Sequence, residues 1–96
     1  MSMEKLLRQY RNDILRLAAK HGARNVRVFG SIVRGDDTPD SDVDFLVEVG
    51  PNRSFFFPGG LVADLEDLLG RRVDVVTEKG LHSFIRDRVL KEAVLL

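Results

Sequence analysis

The chain has no cysteine, only two histidines and no excess of charge of either sign. Without cysteine there are no disulfides, no thiolate chemistry and no Cys-based zinc site, and the composition fits a reducing compartment. His21 and His82 lie too far apart to form a helical metal-binding pair and are expected at the surface or as helix caps. Fifteen basic residues balance fifteen acidic ones, so no bulk field exists to hold a long nucleic acid, although a local basic patch is compatible with the sequence. No apolar run is long enough to cross a bilayer, and the N-terminal residues do not read as a signal peptide. These absences point to a cytoplasmic protein with no membrane partner.

What is present is an ordinary globular composition, 44% hydrophobic and 31% charged, over 96 residues. That length suits one domain, residues 1–96, with a single core, and leaves no room for a separate acceptor-binding domain. Leu6, Leu7, Tyr10, Ile14, Leu17 and Ala18 repeat at helical spacing and predict one helix ending near Gly22. Val26 to Phe29 reads as a short strand running into Gly30-Ser31, where a tight turn opens a brief helix through Arg34. Gly35 to Ser41 is a polar loop containing Pro39, and Asp42 to Val49 is the second strand. Its alternation puts Val43, Phe45, Val47 and Val49 on one face and Asp42, Asp44, Leu46 and Glu48 on the other.

Leu61, Val62, Leu65, Leu68 and Leu69 then predict a core-facing helix stopped by Gly70. A third strand follows at Arg72 to Thr77. In the tail, Phe84, Ile85, Val89 and Ala93 fall on one helical side. The expected order is αβ(α)βαβα. A helix between strands two and three is the connection of a parallel pair. Asp74 would then be the third residue of its strand, as Asp44 is of the second.

The chemistry-bearing pattern is Gly30-Ser31, a ten-residue spacer, and Asp42-Val43-Asp44. A glycine turn at the start of a helix offers backbone donors to phosphates, and carboxylate oxygens are the hard ligands that Mg²⁺ takes. Two aspartates one residue apart on a strand share a face, so they can hold the same ion or ion pair. Asp74, arriving from the parallel neighbour, would make three carboxylates on one face. Such a group repels itself unless cations lie within it. Together these features suggest cation-dependent nucleotidyl transfer.

Gly30-Ser31, Asp42-Val43-Asp44 and the later strand aspartate Asp74 resemble the polymerase-beta-like nucleotidyltransferase superfamily. With Leu65 to Val76, the chain resembles the minimal nucleotidyltransferases, or MNT proteins, over nearly its whole length. The resemblance implies an α/β (α+β) fold with a small mixed three-stranded sheet. It implies that Gly30 and Ser31 lie against the triphosphate of ATP or another nucleoside triphosphate. Asp42, Asp44 and Asp74 would ligate two Mg²⁺ ions and carry catalysis. Arg34 reads either as a phosphate contact or as a surface arginine beside an acidic loop. The family further implies a HEPN-domain toxin as partner, with the MNT protein its type VII antitoxin, in some cases adenylylating a tyrosine.

Other readings stay beside this one. Asp40-x-Asp42-x-Asp44 begins like a calcium loop, but its sixth and twelfth positions are Phe45 and Pro51, which excludes it; Asp36, Asp37 and Asp40 are solvated loop residues. Phe55-Phe56-Phe57 is expected to pack over the core with at least one ring exposed. Arg71-Arg72 and Arg86-x-Arg88 read as solvated ends of elements. Two functional alternatives remain: an antitoxin acting by contact alone, and transfer to a small molecule, whose binding a homo-oligomer could complete.

Overall fold

In the computed structural model, which describes residues 3–51, 55 and 57–96, the N-terminal apolar stripe forms two helices, α1 (Met3–Gln9) and α2 (Arg11–Lys20), rather than one. The break is at Tyr10 (φ −99, ψ 11), yet Tyr10 N–H still donates to Leu6 O and Ile14 N–H to Tyr10 O. The ladder is nearly continuous, so Met3, Leu7, Ile14 and Ala18 all remain buried. No Gly or Pro marks the break in the sequence.

β1 (Ala23–Phe29) starts earlier than its alternation suggests, because a bulge between Arg24 and Arg27, with Asn25 at φ 50, interrupts the two-residue period. α3 (Ser31–Arg34) follows the turn as expected and ends at Gly35 in the left-handed conformation. β2 (Val43–Val49) runs antiparallel to β1. α4 (Gly59–Leu69), closed by left-handed Gly70, leads to β3 (Val73–Thr77), which is parallel to β2. α5 (Ser83–Glu92) begins at His82, whose Nδ1 accepts from Phe84 N–H at 3.1 Å as a cap.

A fourth strand, β4 (Val94–Leu95), pairs antiparallel with β1, giving the order β3-β2-β1-β4 in place of the expected three strands. Two residues are too few to show alternation, and Ala93 turns to extended geometry where the helical stripe was expected to continue.

Val26, Val28, Val43, Phe45, Val47, Val73 and Val75 line one face of the sheet against Ile14 and Ala18 of α2 and Leu61, Leu65 and Leu69 of α4. The opposite face is less polar than expected: Leu46 is fully buried there, outside that cluster, as is Val89 of α5. α5 joins the two outer strands of the sheet, so it covers part of this second face. Of the stripe expected on it only Val89 is deeply buried; Phe84 is 91% exposed and Ile85 37%.

Phe57 packs partly against the core and Phe55 is exposed, while Phe56 lies outside the described residues. His21 caps α2 but is buried. Its Nε2 lies 2.7 Å from Asp64 Oδ2, a bond that with Lys20 holds the Asp64 carboxyl below its usual range and ties α2 to α4. Among the described residues no helix is long and apolar enough to cross a membrane.

Among the described residues Phe45 is the largest fully buried side chain. Phe45→Ala is expected to cost about 3–5 kcal/mol in urea unfolding, whereas Phe84→Ser should change stability by no more than about 0.5 kcal/mol.

Candidate active site

The strand registers assemble the site. Phe29, the last residue of β1, is opposite Asp44 on β2, and Asp44 is opposite Asp74 on β3. The antiparallel pair therefore brings the Gly30-Ser31 turn to Asp44, and the parallel pair brings Asp74 to its other side, as the sequence spacing predicts. At Gly30 the backbone takes φ 82, ψ −152, open to glycine and strained for other residues. A Cβ there would also run into the Asp44 carboxylate. Gly30 O accepts from Val33 N–H and Arg34 N–H, each at 3.1 Å, and the Ser31 hydroxyl has no protein partner among the described residues.

The three aspartates differ in setting. Asp74 is exposed and Asp44 half-buried. Asp42 lies just before β2, its side chain 49% exposed and its Oδ1 3.2 Å from Arg72 Nε. Burial, then the charge of Asp74, then that of Asp42, push the Asp44 carboxyl up to about 6. The shift comes first from burial and then from the carboxylates gathered beside it, with Arg34 offsetting only part of it, and a divalent cation would relieve the repulsion. Hard oxygen donors on this face suit Mg²⁺. Among the described residues, however, no three His, Asp or Glu side chains are already closed into a metal cage. The residues supply the charge and ligand type for a cation, and their side chains stand open around the place for it.

Arg34 is exposed but engaged: its Nη1 donates to Glu92 Oε1 at 2.9 Å and its Nε to Asp36 Oδ2 at 3.4 Å. The other Glu92 oxygen accepts from Gly30 N–H at 2.9 Å. Arg71 and Arg72 are more than solvated ends. Arg71 Nη2 donates to Thr38 O at 3.0 Å and Ser41 O at 2.6 Å, and Arg72 Nη2 to Asp40 O at 3.3 Å. Both clamp the loop that leads to Asp42. Asp40 is an exposed loop residue, and Asp36, also exposed, pairs with Arg34.

Glu92, Arg71 and Arg72 carry no motif, and the sequence offers only topology as a guide to them. A concavity of about 560 Å³ at the far end of β2 and β3, lined by Val47, Gly50, Thr77 and Lys79, contains none of these groups. The carboxylates instead stand at the rim of the sheet.

The chain matches the nucleotidyltransferase domain family over residues 7–96. It is 36% identical over 88 residues to a Methanocaldococcus jannaschii protein provisionally named a protein adenylyltransferase, covering 92% of this chain and 95% of the relative. It is 45% identical over 78 residues to the protein adenylyltransferase MntA of Thermococcus cleftensis, covering 81% and 79%. A solved structure provisionally described as a minimal nucleotidyltransferase superposes with a TM-score of 0.85 at 47% identity, covering 100% of this chain and 97% of the other.

Two outcomes follow from the geometry. Gly30→Ala should lower the melting temperature and displace Asp44, seen as a shifted Asp44 amide in a ¹H–¹⁵N spectrum. Asp44 titrates at about 6 in the folded chain instead of 3.8, so folding favours its neutral form. The associated stability is complete below about pH 4 and is lost as the pH rises through 6. Asp44→Asn, fixed in the neutral state, should therefore melt higher than the parent above pH 6 in the presence of a chelator. Allowing for solvent screening the gain is at most about 1 kcal/mol, and the gap should narrow toward pH 4.

Proposed function

The chain belongs to the nucleotidyltransferase domain family, and on that premise we propose that it moves AMP from ATP, with Mg²⁺, onto a hydroxyl of a partner protein and releases pyrophosphate. The observation that carries this reading is the register Gly30 turn, Asp44, Asp74 across three adjacent elements. It sets a phosphate-facing turn beside carboxylates from two strands. A relative 45% identical is named a protein adenylyltransferase, which supports AMP as the group moved and a protein as its acceptor. The acceptor we propose is a HEPN-domain toxin, the companion implied by the resemblance to MNT proteins, with a tyrosine as the hydroxyl and this chain as the antitoxin.

In this reading the unpartnered Ser31 hydroxyl and the turn receive the terminal phosphates of ATP. Asp42, Asp44 and Asp74 would hold Mg²⁺, for which Asp42 would give up its exposed pairing with Arg72. When bound, Mg²⁺ supplies acidification of the acceptor hydroxyl and neutralisation of the leaving pyrophosphate. The hydroxyl oxygen forms a bond to the α-phosphorus and the bond from that phosphorus to its bridging oxygen breaks. The electron pair leaves with pyrophosphate, and the hydroxyl proton is released to solvent.

Incubation with ATP labelled at the α-phosphate, Mg²⁺ and the HEPN partner should label the partner. Asp42→Asn and Asp44→Asn should each reduce labelling by about 100-fold or more with an unchanged circular dichroism spectrum, and EDTA should abolish it. If both variants still neutralise the partner as fully as the parent does, neutralisation is by contact and the catalytic reading of that role is wrong.

A further inference from the structure

Glu92 is placed where an acidic residue is hard to justify by local preference. It is the last residue of α5, at the negative end of the helix dipole, where Lys91 is the residue type expected. Its side chain is only 14% exposed, and its charge falls on Asp44, a neighbour already crowded by two other carboxylates. Dipole, burial and like charge all oppose an ionised group in this position. A carboxylate retained against all three has partners that require it, and both are at the turn: Gly30 N–H and the Arg34 guanidinium, each at 2.9 Å.

From this geometry we propose that Glu92 is the positioning residue of the phosphate-facing turn: one oxygen fixes Gly30 in its left-handed conformation and the other holds Arg34 at the exit of α3. The claim about nucleotide rests on the functional reading above, while the claim about the turn does not. Burial alone would push the Glu92 carboxyl up, but the Gly30 N–H and Arg34 together hold it below its usual range, so it is an anion at neutral pH. With Gly30 N–H engaged by Glu92 and Gly30 O by the Val33 and Arg34 amides, the two peptide planes on either side of the Gly30 Cα are each held. The Asp44 carboxylate closes the space where a side chain would be. Ser31 is thereby presented with its hydroxyl unpaired. Arg34 then acts through Glu92, shielding that carboxylate from the triphosphate, and is not itself the main phosphate ligand. An ion pair of this kind at an open surface would contribute little; here it is tied to a backbone amide in a half-buried position.

The test compares the parent with Glu92→Ala and Glu92→Gln, the latter keeping the shape but offering one acceptor oxygen to two donors. Amide hydrogen exchange of the nucleotide-free protein should show Gly30 protection falling about tenfold or more in Glu92→Ala and by less in Glu92→Gln. Val28 protection should be retained in both, reporting an intact β1. By calorimetry, MgATP affinity should fall about tenfold in Glu92→Ala. Adding Arg34→Ala to that variant should weaken it little further, because the two residues act as one unit. Unchanged Gly30 protection in both variants would overturn the proposal. So would tighter MgATP binding by Glu92→Ala, since the carboxylate would then compete with phosphate for the turn. If the parent itself binds no MgATP, the functional reading fails, and Gly30 exchange alone decides whether Glu92 holds the turn.

Discussion

The site depends on one close approach: Gly30 passes between two carboxylates, Asp44 on the strand beside it and Glu92 from the last helix. The missing side chain at residue 30 is what lets Asp44 stand against the turn. Any Cβ would force the turn and the Asp44 carboxylate apart. The left-handed conformation imposes the same requirement independently. Two separate constraints thus converge on a single glycine, and the distance between the two halves of the site follows from it.

The sheet supplies the rest by combining both kinds of pairing. An antiparallel neighbour lets β1 end where β2 begins, which puts the turn next to Asp44; a parallel neighbour lets β3 begin where β2 begins, which puts Asp74 there as well. All three elements therefore offer functional groups at one rim. The cost falls on Asp44, whose carboxyl is pushed up to about 6 by burial first and by repulsion from its neighbouring carboxylates second. Val43, Phe45 and Val47, pointing the other way from the same strand, are almost wholly buried and anchor it against that repulsion. Strand alternation thus sets Asp44 on one face and its main anchors on the other, with Leu46 adding burial on the Asp44 side. Residues placed at odds with their own stability are common where function requires them.

How much of this could be read from the sequence depends on the range of the signal. Gly30, Ser31, Asp42 and Asp44 lie within one turn, loop and strand, and Asp74 follows from a helical connection between parallel strands, so short-range pattern and one topological rule suffice. The helix break at Tyr10 is hidden because the hydrogen-bond ladder continues across it. The start of β1 is hidden by a bulge and β4 by its length. Leu46 looked like a residue on a polar face, since alternation cannot reveal that a later helix covers that face. Glu92 and the two arginines that clamp the Asp42 loop are invisible for the same reason: their partners are chosen by packing between distant segments.

The bond from Gly30 to Glu92 spans 62 residues. During synthesis at roughly 5–20 residues per second, several seconds separate the appearance of the turn from that of the carboxylate that closes it. A nascent chain that has already made Gly30, Asp44 and Asp74 still lacks the finished turn. The finished turn would then arrive with the last helix, all at once, and a chain interrupted shortly before it would carry Asp42, Asp44 and Asp74 yet present them around an unfastened loop.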